Sequence, residues 1–110
     1  MAESKSRVFE LTAAVNFPTV DRHMLEEFAG KLASAVESVI GEYPTAVAYL
    51  VAADVTAGEI TFGIRFDGAD PRYIAEMADD ILEEAVELVA KREGSGPIET
   101  EREESVLVLA

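Results

Sequence analysis

What most narrows the folds open to this chain is a match between its two halves at an offset of 49 residues. Without a gap, Glu10 meets Glu59, Thr12 meets Thr61, Phe17 meets Phe66, Asp21 meets Asp70, Glu27 meets Glu76 and Ala29 meets Ala78. Similar pairs keep the same register: Leu11 with Ile60, Val15 with Ile64, Leu25 with Ile74, Phe28 with Met77, Leu32 with Ile81 and Val39 with Leu88. Apolar positions fall on apolar positions, and one aspartate that can cap a helix falls on another. Two copies of a strand–helix unit produce that pattern.

The local patterns assign the elements. From Arg7 to Phe17, residues Phe9, Leu11, Ala13, Val15 and Phe17 alternate with Glu10, Thr12, Ala14 and Asn16, the period of a half-buried strand. Pro18 stops it. Asp21 is expected to cap a helix reaching about Ile40, with Leu25, Phe28, Leu32, Ala35, Val36 and Val39 on one face. Gly41 and Pro44 end it. Thr45 to Val55 reads as a second strand, with Val47, Tyr49 and Val51 on one side and Ala48, Leu50 and Ala52 on the other. The short turn Thr56-Ala57-Gly58 implies a hairpin to a third strand, Glu59 to Asp67. Asp70-Pro71 is a strong helix start, a side-chain cap followed by proline at the first helical position. That helix is expected to run to about Arg92, with Lys91 and Arg92 at its dipole's negative end and Gly94-Ser95-Gly96-Pro97 breaking it. An acidic stretch (Glu99, Glu101, Glu103, Glu104) precedes a final strand, Val106 to Leu109.

The order is strand, helix, strand, strand, helix, strand. Two right-handed βαβ units interleave as a four-stranded antiparallel sheet with both helices on one face. The expectation is therefore one α+β domain over residues 1–110, a ferredoxin-like βαββαβ fold with pseudo-repeats near 7–55 and 58–110. Residues 1–6 are expected to fray. The match fails beyond the helices, so the outer strands have diverged.

Composition limits function. With 49% hydrophobic residues the chain can build a core, yet its net charge is −13. Residues 1–49 hold seven acids and four bases (−3), and residues 50–110 hold fifteen and five (−10). Such a field repels phosphate backbones and anionic membranes, so a basic protein or a second copy is the expected partner, with no direct nucleic acid and no membrane. The chain has no cysteine, which removes disulfides and thiolate chemistry. No apolar stretch follows the charges at the N-terminus, and none is long enough to span a bilayer, so a cytoplasmic location is expected.

Helices on one side leave the other sheet face open. By alternation that face carries Thr12, Ala14, Ala48, Leu50, Ala52, Thr61, Gly63 and Arg65, together with Glu10, Asn16 and Glu59. The last strand adds either Val106 and Val108 or Leu107 and Leu109. A face of small, hydroxylated and apolar residues marks an interface. Phe9, Phe17, Phe62 and Phe66 fall on the helix-packed side, unlike the exposed aromatics of RNA-binding domains of this plan. Glu76, Asp80, Glu83 and Glu87, at steps of four, three and four, make an acidic stripe along the second helix. It reads first as a solvated face, and otherwise as a surface for a basic partner.

No reactive constellation emerges. His23 is the single histidine, in the first turn of helix one, and reads as a solvent-facing residue. Asp67-Gly68-Ala69-Asp70 begins like a calcium loop but lacks its remaining oxygen positions, so it reads as a turn plus cap. Phosphate-cradling glycine loops and Gly-x-Ser-x-Gly are absent from the sequence. No catalytic residue, cofactor or metal site is expected. The stretch Ala52-Ala53-Asp54-Val55-Thr56-Ala57-Gly58-Glu59-Ile60-Thr61, followed by an Ala- and Glu-rich helix, resembles small uncharacterised acidic proteins of actinobacteria and their phages. The resemblance covers about half the chain and brings no activity with it.

The expected function is thus a non-enzymatic protein-interaction module working through its open sheet face, as a homodimer or with another protein. Two alternatives are an acidic inhibitor that mimics nucleic acid, using helix two and Glu99–Glu104, and a small-molecule regulatory domain.

Overall fold

A computed structural model describes residues 7–103 and 105–109. The expected fraying of residues 1–6 and the position of Glu104 lie outside these. The chain forms β1 (Val8–Asn16), α1 (Leu25–Ile40), β2 (Ala46–Asp54), β3 (Glu59–Asp67), α2 (Pro71–Glu93), β4 (Glu101–Arg102) and β5 (Val106–Leu109). One antiparallel sheet has the order β2-β3-β1-β4, and β5 also pairs with β1, in line with β4. With the two helices on one face, this is the ferredoxin-like α+β fold expected from the sequence.

The core lies between sheet and helices. Leu11, Val15, Ile60, Phe62, Ile64 and Phe66 point from the sheet toward Leu25, Leu32 and Val36 of α1 and Ile74, Ile81 and Val89 of α2, all buried. Burial of this alternating set opposite two helical stripes is the main stabilising term. Phe17 meets Phe28 edge-on at 4.7 Å between ring centroids, closing the core where β1 leads toward α1.

β1 and β3 pair in a register with one notable position. Ala13 lies opposite Phe62, its own counterpart at the offset of 49. Thr12 therefore opposes Gly63 while Ala14 opposes Thr61, so positions exchange about that central pair.

α2 starts as its sequence requires. The Asp70 carboxylate accepts a hydrogen bond from the Arg72 N–H at 3.0 Å, and Pro71 occupies the first helical position. The Arg72 guanidinium, and then that backbone bond, hold the Asp70 carboxyl below its ordinary range. Gly94 ends the helix at φ 68°, a left-handed conformation that glycine adopts without Cβ strain, and Ser95 N–H bonds back to the Ala90 carbonyl at 2.9 Å.

Three details depart from the sequence reading. Asp21 does not cap α1. A single 3-10 turn, Arg22–Met24, intervenes, and the Asp21 carbonyl rather than its side chain accepts from Met24 N–H. No proline follows Asp21 to fix the first helical residue, as Pro71 does after Asp70. Val47 does not share a side with Tyr49 and Val51. A bulge between Ala46 and Ala48 turns Val47 outward to 53% exposure, and Ala46 takes the inward place. The fourth lane of the sheet is broken in two, because the acidic stretch contributes β4 ahead of β5.

Candidate interaction face

The open side of the sheet is built by rows of side chains running across the strands. Cross-strand pairing sets Leu50 beside Gly63, Gly63 beside Thr12, and Thr12 beside Val106. The neighbouring row is Ala48, Arg65, Glu10 and Val108. A third brings Ala52, Thr61 and Ala14 together. All eight sheet residues anticipated from alternation thus share one surface.

The sequence left open which residues of the last strand join this face. The structure selects Val106 and Val108, at 57% and 49% exposure. The ambiguity has a physical source. Val15 pairs with Arg102 but Phe9 with Leu109, so six steps back along β1 (15 − 9) meet seven forward along the tail (109 − 102). That one-residue shift inverts the facing of everything after it. Leu107 and Leu109 consequently lie on the helix side, where they too are exposed, at the sheet margin.

Shape and charge follow from these rows. Gly63 leaves a depression of about 310 Å³, bordered by Thr12, Leu50, Ala48 and the Glu10–Arg65 pair. Leu50 projects beside it, 50% exposed. The Arg65 Nε donates to Glu10 Oε2 at 2.9 Å, and its Nη2 forms an ion pair with the same oxygen. These two charges cancel within the face. Further acidic groups stand at its two ends, Glu59 paired with Asp54 and Glu101 with Asn16 at one, and Asp67 opposite Val8 at the other.

The acidic stripe lies elsewhere. Glu76, Asp80, Glu83 and Glu87 are all exposed on α2, in the helix layer, so they cannot join the sheet residues in one site. Neighbouring acids are engaged. Tyr43 Oη donates to Glu84 Oε2, and that bond, with partial burial, pushes the phenol up to about 12. Asp79 forms an ion pair with Arg102 of β4. The structure also reveals a groove that sequence reasoning missed, about 890 Å³ between α2 and the chain returning from Ser95 to Arg102. No local pattern announces it, because its second wall is an irregular segment.

His23 is exposed, as anticipated. Among the described residues, no group of three His, Asp or Glu side chains is placed to hold a metal ion. No described helix is long and apolar enough to cross a membrane.

No family model matches the chain, and no curated protein does. Among solved structures, a protein provisionally assigned as a chlorite dismutase is similar with a TM-score of 0.52 and 8% identity. The likeness covers 94% of this chain and 43% of that one. A protein of Burkholderia cenocepacia provisionally assigned as an amidohydrolase/peptidase has a TM-score of 0.41 and 20% identity, over 96% of this chain and 29% of that one.

Proposed function

We propose that the chain is a non-enzymatic protein-interaction module that pairs with a second copy of itself through the open sheet face. The observation carrying this reading is electrical neutrality in an otherwise acidic molecule. A chain of net charge −13 repels its own copies over most of its surface. The rows around Gly63 are an exception: Glu10 and Arg65 neutralise each other, and Leu50, Val106 and Val108 supply exposed apolar area. An isologous contact needs a patch that tolerates its own image, and this one does.

Size sets the expected strength. Four lanes about 4.8 Å apart and strands about 30 Å long give a face of roughly 550 Å². Specific complexes bury about 800 Å² per partner, so a concentration-dependent dimer is expected rather than an obligate one.

Sedimentation equilibrium tests the reading. The chain should self-associate, and Leu50→Asp, which puts a charge beside the Gly63 depression, should leave it monomeric. Raised salt should preserve or strengthen the dimer by screening the surrounding acids. A monomeric mass at millimolar concentration, or self-association untouched by Leu50→Asp and by Val108→Asp, would refute it.

A further inference from the structure

The groove along α2 lies in the helix layer, away from the sheet face. Leu82, Val86 and Ala90, at steps of four, form one wall, and Pro97 and Ile98 form the other. Glu83 and Glu87 stand on the rim, both exposed, and neither has an ion-pair partner among the described residues. Asp79 and Arg102 neutralise each other at one end, and Lys91 stands at the other. With Glu83, Glu87 and Lys91 counted, the rim keeps one net negative charge (−2 + 1), and Glu76 and Asp80 extend the acidic stripe beyond it.

We propose that this groove docks a basic amphipathic helix of a partner protein. Wall residues repeating every four positions offer the row into which the ridge of another helix packs. From Asp79 to Lys91 the wall runs about 18 Å, room for three turns. Apolar residues of the partner would sit between Val86 and Ile98, with lysine or arginine flanking them over Glu83 and Glu87. Charge excludes the main competitors. A second copy would bring Glu83 and Glu87 against acids of its own kind, and an anionic ligand meets the same field. A pure nucleic-acid mimic would use the acids and leave the apolar floor idle. The inference is independent of the sheet-face dimer, since it uses another surface.

The test is fluorescence anisotropy with a labelled Leu/Lys peptide of about 14 residues, roughly four helical turns, against a scrambled peptide of equal composition lacking the apolar stripe. Run on the Leu50→Asp background, it is unaffected by dimerisation. The striped peptide should bind at least about tenfold tighter than the scramble. Glu83→Gln with Glu87→Gln should weaken binding about tenfold, the scale of two rim ion pairs, while the exposed pair Glu26→Gln with Glu42→Gln changes it no more than about twofold. Thr100→Trp, which fills the groove without altering charge, should weaken it as well. Should that variant misfold by circular dichroism, the glutamate pairs decide alone. No binding, equal binding of the scramble, or equal loss from the control pair would overturn the proposal.

Discussion

Gly63 offers the sharpest test of the sheet face, because one methyl group separates folding from association there. A Cβ at this position would stand 3.2 Å from the Thr12 Cγ2, 3.5 Å from the Leu11 carbonyl oxygen and 3.6 Å from the Leu50 Cβ. Only the first contact is tight, and Thr12 is exposed, so its side chain can yield by a few tenths of an ångström. A modest rotamer shift costs about 0.5–1.5 kcal/mol. Replacing glycine inside a strand returns about 0.5–1 kcal/mol of backbone entropy. Gly63→Ala should therefore leave monomer stability within about 1 kcal/mol of the parent. Association responds differently. The methyl intrudes on the depression beside Leu50, and overpacking a closely fitted contact costs about 1 kcal/mol or more per site. An isologous dimer contains the site twice, so about 2 kcal/mol is lost and the dissociation constant rises about 30-fold. Urea unfolding at low protein concentration measures the first quantity, and sedimentation equilibrium measures the second. A parent-like dissociation constant would refute the docking role of the depression. A loss of more than about 2 kcal/mol in the monomer would refute the packing argument at Thr12.

Other expectations concern the scaffold. Ile81, fully buried between the helices and the sheet, should cost about 2–5 kcal/mol as Ile81→Ala, read from the urea midpoint. Gly94→Ala forces a side chain into a left-handed conformation and should destabilise by about 1–2 kcal/mol, with Gly94→Asn costing less, by the same assay. The Tyr43 phenol, raised to about 12 chiefly by its bond to Glu84 and then by burial, stays protonated in the folded chain where the unfolded one already ionises. Its contribution to stability is full below the ordinary tyrosine value near 10 and is lost as pH rises from there through about 12. Phenolate absorbance should show Tyr43 titrating late, as Tyr49 also does through burial and its bond to Glu37, and Glu84→Gln should bring Tyr43 alone back toward the ordinary range. An unchanged titration would place the cause elsewhere.

Legibility of the fold in the sequence tracked how local each cause is. β3 and the start of α2 were readable to the residue, because a strict alternation defines the one and Asp70-Pro71 admits few alternatives to the other. The same logic failed at Asp21, whose match to Asp70 extends to residue type but not to the proline behind it. Most of the open face was readable for the same reason: alternation along β1 and β3 is uninterrupted. Val47 and the tail were not, since a bulge and a register shift are each a one-residue event that depends on the partner strand, and each reverses facing beyond it. The α2 groove needed the path of residues 95–102, which no periodicity encodes. The acidic stripe was visible, but its neighbourhood beside an apolar floor was not.

The broken fourth lane has a kinetic consequence. Among the described residues β1 alone holds β5, four residues long and exposed throughout, whereas the other edge of β1 meets β3 along nearly its full length. Alternate residues of an antiparallel strand bond to opposite neighbours. Arg7 bonds toward β3, through Gly68 N–H, and Ala14 toward the tail, through Glu103 N–H. The amides of β1 should therefore exchange with solvent at two tempos, slow at odd positions and fast at even ones, as the short strand peels away while the core stays shut.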